Sequence, residues 1–207
     1  GANRLGASAL MQGLSDGYFV LPMTIGNYLS AEIKTPVPDT KDKAFDDAEK
    51  NVQERLDKIL SIKGSKTVDY YHKQLGDIMW NYCGMSRNRE GLEKAKNMVK
   101  ELREDFWQNV KVPGSTNEMN GELEKAGRVA DFLELGELIA VDALNRYESC
   151  GGHFREEYQT EEGEALRDDE GHQFVSAWEF KGEDNDPELH KEPLEFDIVK
   201  PTTRSYK

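Results

Sequence analysis

An arginine between two glycines stands at the start of a predicted helix. The first ten residues read Gly1-Ala2-Asn3-Arg4-Leu5-Gly6-Ala7-Ser8-Ala9-Leu10. The unpaired N–H groups at a helix start attract negative charge, and the helix dipole adds to this attraction. A guanidinium at that place can clamp a carboxylate through two parallel hydrogen bonds. The segment predicts a carboxylate substrate beside an electron-rich cofactor; the alternative is an arginine that only caps a loop carbonyl.

A second polar segment follows the last predicted helix. It reads Arg146-Tyr147-Glu148-Ser149-Cys150-Gly151-Gly152-His153-Phe154-Arg155-Glu156-Glu157. Its candidate residues are His153 and Arg155, which either lie next to a site or only tie the loop to the helices. The remaining local patterns are incomplete. Gly64-Ser65-Lys66-Thr67 lacks the glycines of a phosphate-binding loop, and the four histidines have no zinc-ligand spacing. We therefore predict neither a catalytic residue nor a metal ligand in this chain.

Apolar residues that recur every three or four positions predict the elements that would carry these segments. A glycine-rich helix is expected up to about residue 30, where Pro22 should kink or split it. Its glycines indicate close packing against a large partner surface. A proline-containing linker follows, and Asp39 or Thr40 is a plausible N-cap for the next helix. Four bundle helices are then expected at about 41–62, 65–83, 88–110 and 122–149.

The composition changes after Gly152. Residues 151–207 contain 16 acidic and 7 basic residues and so carry −9 of the formal net charge of −13. Two alternating runs, at 174–180 and 194–199, predict a β-hairpin over 172–199 that packs mainly on its own bundle and braces the loop around His153. The expected fold is mainly α: an antiparallel, spectrin-repeat-like bundle of three to four helices, with the glycine-rich helix before it and the small hairpin after it.

The overall charge limits the class of partner. A net charge of −13 argues against nucleic acid and against docking on anionic lipid. There is no run of about eighteen apolar residues, so no direct membrane insertion is expected. Two cysteines outside any CxxC pair predict a reducing, intracellular compartment.

Both polar segments resemble one family, the flavoprotein subunit of succinate dehydrogenase and fumarate reductase. GANRLG followed by small residues and Leu10 resembles its flavin-binding segment. Residues 146–157 resemble its R-x-E-S-R-G-A-H-x-R-x-D, and Arg167-Asp168-Asp169 is similar to the R-D-D that follows. The two main motifs lie more than 130 residues apart and in the family's order. Cys150 and Gly152 depart from the pattern, because the family has Arg and Ala at these positions.

The resemblance implies a function and a division of the chain. Arg4 would bind a carboxylate of succinate or fumarate, while Ala9 and Leu10 would face the pyrimidine ring of FAD through their backbone. Residues 1–40 would be the end of the FAD-binding domain with its linker, 41–150 the helical bundle, and 151–207 an acidic extension with the hairpin. The chain would be a C-terminal fragment, inactive alone, because the family's catalytic residues lie upstream.

The resemblance also implies partners and a location. Electrons would pass through an iron–sulfur subunit and a membrane anchor subunit to or from quinone. The complex would hold the chain in the cytoplasm, peripheral on the inner face of the cytoplasmic membrane. A different class of function, a free-standing acidic helical protein-interaction module without catalysis, stays open. That module would keep residues 1–30 as an independent ordered helix, whereas the flavoprotein segment would fray or pack against a neighbouring molecule.

Overall fold

The structure of the chain, a computed structural model, describes residues 7–182, 185–198 and 200–202. The α-helices in these ranges are Ala7–Ser15 (α1), Leu21–Leu29 (α2), Lys43–Ser61 (α3), Val68–Tyr82 (α4), Arg89–Asn109 (α5), Gly121–Asn145 (α6) and Asp169–His172 (α7). The strands are Lys66–Thr67 (β1), Val110–Lys111 (β2), Phe174–Glu179 (β3) and Glu188–Pro193 (β4). The predicted fold class is confirmed: helices dominate, and the sheet structure includes a small antiparallel hairpin.

The chain divides into two compact units. One contains Gly1–Leu75 and Glu101–Glu134, and the other contains Gly76–Lys100 and Leu135–Lys207. Helices α4, α5 and α6 each contribute residues to both units. The predicted domain boundaries at residues 40 and 150 follow a different criterion, the family's organisation, and stay a prediction.

The four bundle helices begin close to the predicted positions, with one correction to a cap. Asp42, and not Asp39 or Thr40, is the N-cap of α3, since its side chain accepts a hydrogen bond from the N–H of Ala44 at 2.9 Å. Asp39 instead accepts from the N–H of Lys41 in the preceding turn. At the start of α5, Asn88 accepts from the N–H of Gly91 at 2.8 Å. Each cap satisfies a backbone donor that lacks a partner inside the helix.

The first unit is held together around Tyr71. Its ring packs edge-on against Phe106 with centroids 5.2 Å apart, and its hydroxyl donates to Asp105 Oδ2 at 2.7 Å. Lys66 donates to the same carboxylate oxygen at 2.8 Å. Strand β1, which contains Lys66, pairs in parallel with β2, so that Lys66 stands opposite Val110. This pairing fixes the end of α5 against the start of α4 within the unit.

Helices α1 and α2 are joined by a π-helical turn at Asp16–Val20. The N–H of Leu21 bonds to the carbonyl of Asp16, five residues earlier. Pro22 has no N–H to donate and would clash with the carbonyl four residues before it, so a wider turn at this point accommodates it. The α-helix is therefore interrupted where Pro22 predicts, although the helical path continues. None of the residues described from Leu10 to Leu29 is buried.

The second strand of the hairpin is not where the sequence pattern predicts it. Strand β4 is Glu188–Pro193, and Leu194–Phe196 lie beyond it. The pairing places Trp178 opposite Leu189, and these two side chains are half-buried on one face. The hydrophobic pattern specifies the register of a strand strongly only where one face of the sheet is buried. This hairpin is largely exposed, so its register depends on a few apolar contacts, and residues 194–198 of the more apolar run lie outside β4.

Candidate functional site

Arg155 is the most deeply buried charged side chain of the segment that follows α6, with 1% of its surface exposed. Its Nη1 donates to the carbonyl of Ala143 at 2.9 Å, and its Nε donates to Glu157 at 3.1 Å. The Ala143 carbonyl belongs to the last turn of α6, where carbonyls have no partner within the helix and a cation is favoured. Arg155 thereby caps α6 from a position ten residues beyond the end of that helix.

Ser149 completes the contacts of Arg155 through the backbone. Its hydroxyl donates to the Arg155 carbonyl at 3.1 Å and accepts from the Arg155 N–H at 2.8 Å. The N–H of Ser149 donates to the Leu166 carbonyl at 2.8 Å. Ser149 itself is fully buried. The prediction that α6 extends to residue 149 is wrong for this reason: the polar groups of 146–149 find their partners in the loop instead of in another helical turn.

His153 uses both ring nitrogens on protein groups. Nε2 lies 3.1 Å from the carbonyl of Arg146, and Nδ1 lies 3.2 Å from Arg87 Nη1. A guanidinium only donates, so Nδ1 accepts and Nε2 carries the proton. Burial lowers the pKa of His153, and the nearby guanidinium groups lower it further, against the opposite effect of the Arg146 carbonyl. The imidazole is therefore held neutral among cations.

Glu148 is the buried counter-charge in this region. Its Oε1 accepts from Arg146 Nε at 2.8 Å and from Arg146 Nη2 at 2.7 Å, while Oε2 accepts from the N–H of Asp168 at 2.9 Å. A buried carboxylate is stable only when its charge is paired and its oxygens are hydrogen-bonded. Both conditions are met at Glu148, which fixes the chain at Asp168 to the start of the loop.

The same loop also holds the connection between α4 and α5. The N–H of Arg87 donates to the Phe154 carbonyl at 3.1 Å, and the N–H of Glu156 donates to the Arg87 carbonyl at 2.8 Å. The Glu156 carboxylate accepts from Asn88 at 3.0 Å and from Ser86 at 2.7 Å, and these two bonds lower its pKa. Within the second unit, the loop thus joins the end of α4, the start of α5 and the end of α6.

Glu157 marks the start of α5. It accepts from the N–H of Arg89 and from Arg155 Nε. Burial acts to raise the pKa of Glu157, but these hydrogen bonds outweigh burial and lower it. A carboxylate at this position is also stabilised by the positive end of the α5 helix dipole. We name the group of Arg87, Glu148, His153, Arg155 and Glu157 the loop cluster.

The sequence singled out only His153 and Arg155 from the loop cluster. Arg87 lies 66 residues before His153 in the chain and carries no local signal. Glu148 and Glu157 lie inside the 146–157 motif, and only this position in the motif could have identified them from the sequence. The geometry directs the polar atoms of His153 and Arg155 at protein groups, which fits a role in holding the loop.

The predicted cofactor and substrate residues lie at the other end of the chain. Arg4 lies outside the described residues. Ala9 and Leu10 belong to the first turns of α1, and Leu10 is 68% exposed. The first turn of α1 contains no acidic residue. N–H groups in the first turn of an α-helix have no partner within the helix, so this turn is compatible with an electron-rich ring edge. The roles of Arg4, Ala9 and Leu10 stay predictions.

The large apolar residues from Leu10 to Leu29 are exposed. This exposed face consists of Leu10, Met11, Leu14, Tyr18, Phe19, Val20, Leu21, Met23, Ile25, Tyr28 and Leu29. Contiguous apolar surface of this kind marks an interaction site in a folded protein. The described part of the chain supplies no cover for it, which agrees with the expectation that this helix needs a large partner surface.

The hairpin contacts the second half of α6. Trp178 Nε1 donates to Asp142 Oδ1 at 2.8 Å, and the two elements border a groove of about 400 Å³. Leu135 and Ile139 line it from the helix, and Phe174 and Leu189 line it from the hairpin. Phe180, Phe196 and Ile198, which belong to the two alternating runs, are exposed. The hairpin therefore meets its own bundle through one face of β3 and β4.

No helix in the described ranges is long and apolar enough to cross a bilayer.

Comparisons with known proteins identify a family for this chain. The family model described as the fumarate reductase flavoprotein C-terminal region matches residues 72–206. The succinate dehydrogenase flavoprotein subunit of Bacillus subtilis is 25% identical over 206 residues, which cover 100% of this chain and 34% of that protein. The fumarate reductase flavoprotein subunit of Haemophilus influenzae is 26% identical, with 100% of this chain and 32% of that protein covered. The chain thus spans about a third of these relatives.

The solved structures give the same fold. Quinol fumarate reductase of Escherichia coli, in a variant form, aligns with a TM-score of 0.68 and 23% identity over 80% of this chain and 27% of its own. The Sdh1 complex of Mycobacterium smegmatis aligns with a TM-score of 0.61 and 20% identity over 79% of this chain and 26% of its own. Because the family model covers most of the chain and the loop cluster lies within the matched residues, the chain belongs to the fumarate reductase flavoprotein C-terminal family.

Proposed function

We propose that this chain works as the C-terminal part of an FAD-dependent flavoprotein that interconverts succinate and fumarate. The observation that carries the proposal is the family match over residues 72–206, together with succinate dehydrogenase and fumarate reductase flavoprotein subunits that align over the whole chain. Residues 1–40 would end the FAD-binding domain, 41–150 would form the bundle, and 151–207 would form the acidic extension.

Arg4 is the residue through which this chain would contact substrate. Its guanidinium would bind a carboxylate of succinate or fumarate through two hydrogen bonds and so orient the carbon–carbon bond that reacts. A fixed cation at this place would also stabilise the negative charge that builds up during hydride transfer. FAD, when bound, supplies the hydride chemistry.

The start of α1 would hold the pyrimidine edge of FAD. The backbone of Ala9 and Leu10 would face it, with N–H groups of the helix start directed toward it, and the absence of acidic residues in the first turn of α1 supports this role. Donors aimed at that edge stabilise a ring that becomes anionic on reduction and so raise its reduction potential. The role depends on the backbone, so the alanine at position 9 is compatible with it.

The exposed face of α1 and α2 supports the assignment of residues 1–40 to a larger domain. A segment with apolar side chains uncovered along its whole length is stable only when another surface packs on it. We propose that the FAD-binding domain provides this surface. The glycines of the segment suit such an interface. A Cβ at Gly17 or Gly26 would have no atom within 4 Å from outside its own helix in the described part of the chain, which leaves both positions open to a close neighbour.

The loop cluster would stabilise the helical part of the same enzyme without contacting the substrate. Its hydrogen bonds hold the ends of α4, α5 and α6 in the second unit, so we propose that His153 and Arg155 are positioning residues for the bundle and not catalytic residues. The partners would be an iron–sulfur subunit and a membrane anchor subunit that exchanges electrons with quinone. The location would be the cytoplasm, peripheral on the inner face of the cytoplasmic membrane.

The proposal is tested with a longer subunit that contains this chain. Purified subunit should contain FAD, oxidise succinate with an artificial electron acceptor, and reduce fumarate with a reduced dye. The isolated 207-residue chain should do neither, with or without added FAD. A longer subunit without FAD, or succinate oxidation by the isolated chain, would contradict the proposal.

A further inference from the structure

The outward face of the hairpin carries two glutamates and a histidine side by side. Glu179 on β3 stands directly opposite Glu188 on β4, and His190 follows Glu188 on the same face. One ligand atom from each of these side chains lies within 4.8 Å of the other two. We name Glu179, Glu188 and His190 the hairpin triad. Each of its members is about half exposed.

Two glutamates directly opposite each other on a sheet repel, so this arrangement needs a cation. Lys181 supplies one: its Nζ lies 2.8 Å from Glu179 Oε1 and 2.8 Å from Glu188 Oε2. The other oxygen of Glu179 lies 2.7 Å from His190 Nε2. The triad is therefore already a cation-binding arrangement, and its present cation is a flexible side chain that can move away.

The donor set determines which free cation would suit the place. One imidazole nitrogen and two carboxylates are typical ligands of zinc and neighbouring transition metals, whereas calcium and magnesium prefer oxygen alone. Three protein ligands on an exposed face leave a further position for water. The pairing of β3 with β4 fixes the backbones that carry the ligands, so binding requires only that side chains turn.

We propose that the hairpin triad is a binding site for a divalent transition metal such as Zn²⁺, which displaces the Lys181 ammonium and links β3 to β4. Patterns of local spacing miss this site because the ligands come from two strands. Their proximity follows from the hairpin register, not from their order in the chain.

Isothermal titration of ZnCl₂ into the 207-residue chain tests the site. We expect one Zn²⁺ per chain, with H190A weakening the affinity at least tenfold, since even the loss of an outer partner of a metal ligand costs about 10–100-fold. K181A should tighten binding by about two- to thirtyfold, the range that two exposed ion pairs are worth. CaCl₂ should bind at least about tenfold more weakly than ZnCl₂.

Two controls make the result decisive. H72A removes an exposed histidine of the first unit and should leave Zn²⁺ binding unchanged. Circular dichroism should show that the hairpin variants, all at exposed positions, keep the fold. If neither the parent chain nor K181A binds Zn²⁺, or if H190A binds as tightly as the parent, the proposal is wrong. Its failure would leave the proposed flavoprotein function untouched, because the triad is remote in sequence from Arg4, Ala9 and Leu10.

Discussion

Arg87 donates a hydrogen bond from Nη1 to Nδ1 of His153, across 3.2 Å. The bond requires a neutral imidazole, because a protonated one has no lone pair to accept with. Arg87 precedes α5 and His153 follows α6, so this single contact links two connections of the second unit. It also makes the stability of that unit depend on pH.

The first prediction concerns this pH dependence. The pKa of His153 is lower in the folded chain than the ordinary value of about 6.5, chiefly because of burial. Above that ordinary value the imidazole is neutral in both states, and its stabilising contribution is complete. Below that value the imidazole of the unfolded chain binds a proton more readily than that of the folded chain. The free energy of unfolding therefore decreases as the pH is lowered, until the pH is below the lowered pKa of the folded chain. The melting temperature should therefore decrease when the pH is lowered from 7.5 to 5.5.

A matched variant isolates His153 in that experiment. H153Q keeps one donor and one acceptor but cannot be protonated, so its melting temperature should decrease less over the same pH range. H72Q, at an exposed position, should behave as the parent chain does. An equal decrease in H153Q and the parent would show that His153 is not the responsible group.

The second prediction concerns Arg155. R155A leaves the Ala143 carbonyl without its donor and buried polar groups without their partner, so we expect a loss of about 3 kcal/mol in the free energy of unfolding. R89A removes an exposed arginine whose partner is Glu93, four residues on, and should cost less than about 0.5 kcal/mol. Denaturation in urea measures both. A small effect of R155A would mean that its contacts are not required for folding.

The third prediction concerns the contact between the hairpin and α6. W178F keeps most of the ring but loses the hydrogen bond to Asp142, which should cost about 1 kcal/mol, or about 2–4 °C in melting temperature. D142A should cost a similar amount, and the double variant should cost less than the two together. Additive effects would show that the two side chains do not stabilise each other.

Deletion of residues 172–207 extends this test to the whole hairpin. Because the hairpin packs on α6, its removal should lower the melting temperature by several degrees. An unchanged melting temperature, with weaker association of the longer subunit and its iron–sulfur partner, would indicate that the hairpin docks a partner instead.

The fourth prediction concerns Gly64. A Cβ at this position would overlap the backbone of Asn109 next to the β1–β2 pairing, so G64A should destabilise the chain by about 1–3 kcal/mol. Gly127 is the matched control: it lies inside α6 with nothing near its missing Cβ. G127A should stabilise the helix by up to about 1 kcal/mol. Equal effects of the two substitutions would contradict the close approach at Gly64.

The fifth prediction rests on the proposed function and concerns Arg4 in the longer subunit. R4K keeps the charge but loses the planar fork that binds a carboxylate through two bonds. Turnover should fall about tenfold or more, while FAD stays bound because other parts of the protein hold it. Steady-state kinetics and the flavin absorbance measure the two effects. Parent-level turnover and KM in R4K would show that Arg4 does not bind substrate.

Much of the fold could be predicted from the sequence because helices depend on local spacing. The apolar positions of α3 to α6 recur every three or four residues. The exact cap was harder to predict: Asp42 caps α3, not Asp39 or Thr40, because several polar residues precede that helix and only the backbone geometry selects one. Strand β4 could not be predicted in this way, because its position depends on the pairing of Trp178 with Leu189 and not on the composition of either run. The end of α6 was missed for a similar reason, since Ser149 takes partners in the loop.

The sequence by itself determined the class of fold and the family, because both depend on residues in chain order: apolar spacing, and two motifs whose letters can be compared directly. Only the tertiary structure decided what His153 and Arg155 touch, that the apolar residues of α1 and α2 lie exposed, and that Glu179, Glu188 and His190 come together. Burial, charge pairing and ligand geometry depend on distances between residues far apart in the chain. Those distances exist only once packing has fixed the backbone.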